Sequence, residues 1–277
     1  MRFDAILRSA ARQAPLVLLA ALFVVPLAWV IAASLRTPGL PPPRTIEWIP
    51  DPIAWSNYGR IFDLAPLARY ALNSLFVAAL AVPITIVTAS WAGFALTQLP
   101  ADERVALLRL AVVLLMVPFT AVWLGRFLLF KQLSLIDSVW ALVAPALMGT
   151  SPFFVLLFYW AYHRLPRELY EAARLDGAGA FAIWRTVAFP LSLPVAAGVA
   201  VMTFVLYWSD YVNPLLYLKS PDLYTLPVGV QLLQQMDRTQ FPLLMAGVVV
   251  MVAPLLVMFG LLSRVLRHVM RAEPGSR

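Results

Sequence analysis

Six predominantly apolar runs, each long enough to cross a bilayer core as a helix, take up most of this chain. They fall at about residues 14–35, 70–99, 107–130, 141–162, 188–209 and 243–262. Hydrophobic residues make up 62% of the 277 and charged ones 13%, with a mean hydropathy of +0.82. No water-soluble packing could hide that much apolar surface, so the sequence predicts an all-α, polytopic membrane protein with six transmembrane helices. The first run follows Arg2, Arg8 and Arg12, as a signal peptide would. Its apolar part is longer than the usual signal core and five further runs follow, which predicts an uncleaved first helix. No internal repeat or separate soluble domain is visible, and residues 1–277 read as one transmembrane domain with its core at 70–266.

Positive charge gives the chain a direction. Arg2, Arg8, Arg12, Arg104, Arg109, Arg164, Arg167, Arg174, Arg185, Arg264, Arg267, Arg271 and Arg277 fall on one side of the spans and outnumber the cations on the other. The denser side is expected to be cytoplasmic, which places both termini and the loop around Glu171 there. The longer segments 36–69 and 210–242 are then external. Pro38, Pro41, Pro42, Pro43, Pro50 and Pro52 make the first of these read as a stiff extended strap without regular structure. A formal charge of +7 would suit nucleic acid, but the arginines sit at the ends of apolar runs rather than in a stripe. The expected partner of that charge is membrane lipid.

Several chemistries are excluded by what the chain lacks. It has no cysteine, and its two histidines, His163 and His268, lie far apart, so a structural metal site is not expected. A phosphate-binding loop needs a lysine after a glycine, whereas Lys131 follows Phe130 and Lys219 follows Leu218. No enzyme and no cofactor of its own are therefore expected. Ion-coupled transporters hold acids at membrane depth, yet Asp137, Asp210 and Asp237 all fall at or beyond the outer boundary of a span. If this chain moves a solute uphill, the energy must come from another subunit.

The charged loop at about 163–188 lies between two apolar runs. Pro166 at a first-turn position and Gly177 as a permissive terminal residue predict a helix of about ten residues. On it Leu165, Leu169, Ala172 and Ala173 share one face, and Arg167, Glu171 and Arg174 the other. Two adjacent alanines leave a shallow surface for close approach, and Glu171 offers a carboxylate to a cationic partner. The same helix could instead rest on lipid headgroups. Phe181, Ile183, Trp184 and Val187 are expected to pack the following turn against the membrane-proximal helices.

Glu171-Ala172-Ala173, then Gly177, then Val187 and Phe189-Pro190 resemble the cytoplasmic E-A-A loop of bacterial ABC importer permeases. Further segments resemble the maltose and oligosaccharide branch of that family in the same order. They are Asn57-Tyr58 with Ile61-Phe62, Tyr70 with Asn73-Ser74, the run from Ala92 to Leu96, Met116 with Pro118, and Leu135-Ile136-Asp137-Ser138. Leu165 to Leu169, Trp208 with Asp210, and Tyr224 to Gly229 continue the series. The chain departs from the pattern at Leu124-Gly125-Arg126, where many members have a second proline, and at Ser134, where a glycine is common. Its tail after Arg264 lacks the glycine-rich ending of several relatives.

The resemblance implies the type I ABC importer permease fold and a set of partners: a homologous second permease, two ABC ATPase subunits that bind ATP and Mg, and an extracytoplasmic sugar-binding protein. It implies a bacterial cytoplasmic membrane location. Glu168, Glu171, Ala172, Ala173, Asp176 and Gly177 are the implied ATPase-coupling residues, and Lys219, Ser220, Pro221 and Asp222 the implied contact with the binding protein. Sugars are gripped by aromatic faces with amide or carboxylate hydrogen bonds, which singles out Asn73, Trp123, Tyr159, Tyr207, Trp208, Asp210 and Asn213 as candidate pathway residues. Each has a structural alternative, an interfacial belt for the aromatics and an interhelical bond for the polar groups. Arg126 could meet an anionic solute or reach toward headgroups. The alternatives to a sugar importer are a permease for another small solute, such as a glycerol-phosphate, and an ATP-independent transporter.

Overall fold

A computed structural model describes residues 2–39, 45, 47–235 and 238–271, and among them every regular element is helical. In order these are α1 (Arg2–Ser34), α2 (Asn57–Leu64), α3 (Leu67–Gln98), α4 (Ala101–Met116), α5 (Trp123–Gln132), α6 (Val139–Val143), α7 (Pro152–His163) and α8 (Arg167–Leu175). There follow α9 (Ala180–Ile183), α10 (Phe189–Leu191), α11 (Leu193–Trp208), α12 (Val212–Tyr217), α13 (Leu226–Gln234) and α14 (Phe241–Arg271). Four stretches, Val17–Ser34, Leu67–Gln98, Val139–His163 and Phe241–Gly260, are long and apolar enough to cross a membrane, and six if each of two bent pairs counts as a span.

Those bent pairs correct the expectation of continuous third and fifth helices. Ala101–Met116 meets Phe119–Gln132 at 95°. Pro118 holds Val117 in an extended conformation, which ends α4, and a short 3-10 turn, Phe119–Val122, then leads into α5. Ala180–Leu191 meets Leu193–Trp208 at 81°, where Pro190 and Pro194 each lack an N–H for the helical ladder and a π-turn, Trp184–Ala188, precedes the break. The expected strap at 36–69 is also corrected in part, because Asn57–Leu64 is helical. Pro41, Pro42 and Pro43 lie outside the described residues, as does Asp237.

The chain packs as two units, one of Met1–Ala68 with Gly229–Pro254 and one of Arg69–Val228 with Leu255–Arg277. In the first, the fully buried Asn57 donates through Nδ2 to the carbonyls of Ser34 at 2.8 Å and Arg36 at 2.7 Å. Tyr58 Oη lies 2.7 Å from Ser34 Oγ. These bonds fold α2 back on the end of α1 and give the Asn57-Tyr58 pair a structural task.

In the second unit α3 lies against α6 and α7 along a seam of small residues and hydroxyls. Thr88 Oγ1 donates to the Ala146 carbonyl at 2.7 Å, and Thr85 and Thr150 share a hydroxyl bond of 2.6 Å. Gly93 permits the closest approach: a Cβ there would stand 2.7 Å from Phe158 Cβ and 2.8 Å from Tyr159 N. Two apolar clusters flank this seam, one around Val77, Phe130, Leu142 and Tyr217, the other around Phe94, Phe158, Tyr162, Trp184 and Val199. Because backbone atoms stand in the way, Gly93→Ala is expected to cost about 1–3 kcal/mol. A lower melting temperature of the detergent-solubilised protein would show it. Gly198→Ala, where an added methyl meets nothing within 4 Å, is the control.

Candidate functional site

Two polar regions stand out in the second unit. The first is α8. Pro166 caps its start, and its end is a Schellman turn in which the Ala178 N–H donates to the Ala173 carbonyl and the Gly177 N–H to the Arg174 carbonyl, each at 3.0 Å. Gly177 carries φ of +80° and its missing Cβ would meet nothing within 4 Å. Glycine is needed there for backbone conformation and not for room. The helix runs over nine residues, with the limits that the proline and glycine predict.

Its faces differ from the expected ones. Tyr170 is the buried residue of α8, with Ala173 half-buried beside it, while Leu169, Ala172 and Leu175 are exposed. Tyr170 donates to the Tyr162 carbonyl at 3.1 Å and lies 6.2 Å from the Phe94 ring, and its burial pushes its pKa up to about 12. Arg174 donates to the Gln98 side chain at the end of α3. The helix is therefore fastened to α3 and α7 by one edge. Its free surface carries Glu168, Leu169, Glu171, Ala172, Leu175 and Asp176, with Leu175 90% exposed. Trp184 packs beneath the next turn, 5.2 Å from Trp91, with its indole N–H on Ser90 Oγ at 3.3 Å. Ile183 is buried and Val187 half-buried, as expected, whereas Phe181 is exposed and rests edge-on against Trp91.

The second region is the segment from Trp208 to Leu226. Asp137, in a left-handed conformation with φ of +60°, accepts from the backbone N–H groups of Lys219 at 2.9 Å and Ser220 at 2.8 Å, and from Ser220 Oγ. The Ser220 hydroxyl, followed by these two amides, holds its carboxyl below the usual carboxylate range. From α3, Asn73 Nδ2 donates to the carbonyls of Asp222 at 2.8 Å and Tyr224 at 2.9 Å, and Ser74 Oγ accepts from the Leu226 N–H at 2.8 Å. Arg69 forms an ion pair with Asp222. Lys219, Pro221 and Asp222 are exposed, at the tip of a loop whose main chain is held on both sides.

The seven candidate pathway residues do not all gather in one place. Asn73 spends both amide hydrogens on the loop. Tyr159 is buried and stacked on His163, at the α8 end of α7. Trp208 is buried and stacked on Phe204 at 5.6 Å. Tyr207, Asp210 and Asn213 do come together around the end of α11: Tyr207 Oη lies 3.2 Å from Thr150 Oγ1, and Asp210 accepts from Asn213 Nδ2 at 2.7 Å and from its backbone N–H at 3.2 Å. Burial raises the Asp210 pKa, and the Asn213 bonds and the nearby Arg126 charge oppose that rise. Trp123 lies on α5 with its ring edge-on to Phe119 at 6.2 Å.

Four residues with structural work here were not singled out as site residues from sequence: Tyr170, Asp137, Arg69 and Ser74. Asp137 and Ser74 stand inside recognisable motifs, which was the one available signal. Their partners lie between 82 and 152 residues away along the chain, beyond any local pattern. Among the described residues no three His, Asp or Glu side chains gather as metal ligands.

A family model described as "Binding-protein-dependent transport system inner membrane component" matches residues 86–271. The sulfoquinovosyl glycerol transport system permease protein SmoH of Agrobacterium fabrum is 29% identical over 84% of this chain and 82% of its own. The arabinooligosaccharides transport system permease protein AraQ of Halalkalibacterium halodurans is 30% identical over 85% of each chain. In fold, the chain resembles a subunit of a crystallised bacterial ABC transporter involved in import of the acidic polysaccharide alginate, with a TM-score of 0.74, 18% identity, and coverage of 95% of this chain and 98% of that one. The broken spans, the loop helix α8 and the match over residues 86–271 lead to one conclusion: the chain belongs to the family of binding-protein-dependent transport system inner membrane components.

Proposed function

We propose that this chain is one of two homologous permease subunits of an ATP-driven sugar importer in the bacterial cytoplasmic membrane. It supplies half of the translocation pathway, takes sugar from an extracytoplasmic binding protein, and docks on one of two ABC ATPases through α8. The chain holds no cofactor; ATP and Mg belong to the ATPases. The termini and α8 face the cytoplasm and the loop at 219–222 faces the outside, an orientation that the arginine distribution supports. Residues 1–277 act as one transmembrane domain.

The observation that carries this reading is the outward surface of α8. A short helix joined to two apolar spans exposes Leu169, Ala172 and Leu175 beside Glu168 and Glu171, a mixed apolar and acidic patch suited to a protein surface with a basic rim. Buried Tyr170 and the Arg174–Gln98 bond supply the stiffness that a force-bearing contact needs. The opposite loop, Lys219 to Asp222, is held rigid enough to serve as a docking point for the binding protein. Tyr207, Asp210 and Asn213 offer the hydroxyl, carboxylate and amide groups that sugar recognition uses.

The test is reconstitution of the chain with its second permease, ATPases and binding protein in vesicles. ATP hydrolysis should rise when sugar-loaded binding protein is added, and labelled sugar should enter only with ATP. Sugar uptake by the chain without the ATPases would defeat the proposal.

A further inference from the structure

Four buried polar atoms without a hydrogen-bond partner belong to one neighbourhood: Trp123 Nε1, Arg126 Nη1, Asn213 Oδ1 and Tyr217 Oη. Trp123 and Arg126 stand three residues apart on α5, so they share a face. Both use the Phe119 ring, the indole edge-on at 6.2 Å and the guanidinium 5.1 Å above its centre. The Arg126 guanidinium lies within hydrogen-bonding reach of Tyr217 and its charge acts on both Tyr217 and Asp210, and Asn213 is bonded to Asp210. These side chains converge from α5, the end of α11 and α12.

The inventory of these atoms is one-sided. An indole N–H and a guanidinium N–H can only donate, a phenol can do either, and Asn213 Oδ1 is the sole pure acceptor. The Asp210 carboxylate lies near enough for the Arg126 charge to act on it, but each of its oxygens takes a bond from Asn213 and Arg126 Nη1 donates to neither. A donor-only group left buried and unpaired is costly, and a charged one more so. A guanidinium fork with an indole N–H beside it fits a planar or tetrahedral anion, which accepts several bonds at once.

We propose that Arg126, with Trp123 and Tyr217, forms a subsite for an anionic group, a carboxylate or sulfonate, on the transported sugar. The subsite is closed in this structure and receives its ligand when the pathway opens. The proposal rests on the reading of the chain as a sugar permease. Lipid phosphate has the same acceptor chemistry, but Arg126 Nη1 is buried against Phe119 and Tyr217 rather than extended toward a headgroup. The solute is the source to which the geometry points.

The experiment uses the whole transporter with its binding protein in phosphatidylcholine vesicles free of anionic lipid. Uptake of a short uronic-acid oligosaccharide is compared with that of its neutral counterpart. Arg126→Gln is expected to lower uptake of the acidic sugar by about ten- to a hundredfold, the size of a lost charged hydrogen bond, and to leave the neutral sugar unchanged or faster. Arg126→Lys should restore part of the loss. Trp123→Phe, which keeps a ring and removes the donor, should lower acidic uptake alone by a smaller factor, and it serves if Arg126→Gln does not fold. Equal losses for both sugars, or none, would overturn the subsite, as would a defect seen only when anionic lipid is present. A wild-type transporter that carries only the neutral sugar refutes the anion subsite and leaves the sugar permease standing. One that carries neither sugar refutes both.

Discussion

Gly177→Val should abolish sugar-stimulated ATP hydrolysis in the assembled transporter while leaving the membrane core folded. The φ of +80° at Gly177 costs an ordinary residue about 1–2 kcal/mol, and a β-branched one more. The Schellman bonds from Gly177 and Ala178 to Arg174 and Ala173 depend on that conformation, so valine would unwind the last turn of α8 and displace Leu175 and Asp176. No crowding contributes, since nothing lies within 4 Å of the added carbon. Gly177→Asn, which tolerates the left-handed region, should keep most of the stimulated rate. Glu171→Lys should act by another route: the helix survives, but like charge faces a basic partner, and stimulation should fall by about tenfold or more, with partial recovery at high salt. Tyr170→Phe removes only the bond to the Tyr162 carbonyl, about 1 kcal/mol, so coupling should weaken without being lost. Normal stimulated hydrolysis in both Gly177→Val and Glu171→Lys would remove α8 from the coupling role.

Much of α8 could be read from sequence because its limits are set locally. Pro166 starts it and Gly177 stops it, and both signals lie within the helix's own length. Which side faces inward was not local. By spacing Leu165, Leu169, Ala172 and Ala173 share one face, but Tyr170 has a larger apolar surface and a hydroxyl that reaches the Tyr162 carbonyl; it takes the buried position and leaves Leu169 and Ala172 exposed.

Proline shows the same limit in the spans. Pro15, Pro26, Pro83 and Pro254 lie inside helices that continue, whereas Pro118 and Pro190 stand at sharp bends. Neighbouring helices can satisfy the carbonyl that a proline frees, so the residue alone does not say whether its helix breaks. Ser134 has the φ of +56° that suits the glycine common at that position, and the α5 turn is closed by the Leu135 N–H on the Phe130 carbonyl at 2.8 Å. The departure from glycine keeps the geometry and adds strain. Asn73 and Asp210, alike as isolated polar residues in the sequence, separate only in three dimensions: one holds a distant main chain and the other sits in a buried polar group.

Asp137→Asn should loosen the loop at 219–222 without disturbing the backbone beneath it. Asparagine accepts the φ of +60° that Asp137 adopts, so the turn between α5 and α6 survives. What changes is the chemistry facing Lys219 and Ser220. Three donors, two amides and a hydroxyl, meet the carboxylate; in the variant one oxygen becomes an NH2 group that repels them. The Asp137 pKa is lowered in the folded protein, first by the Ser220 hydroxyl. Its contribution is thus present above the unfolded-state pKa of about 4 and disappears as pH falls through the lower folded value. The wild type should therefore melt higher than Asp137→Asn at pH 7, and the gap should close on acidification below about pH 4. A spin label at Lys219 should be mobile in the variant at pH 7 and equally mobile in both proteins in acid. If this loop is also the docking point for the binding protein, stimulation by sugar-loaded binding protein should fall at pH 7 while basal hydrolysis stays constant. A melting gap that persists unchanged into acid would show that the Asp137 charge does not hold the loop. A mobile label with normal stimulation would leave the clamp in place and remove the loop from the docking role.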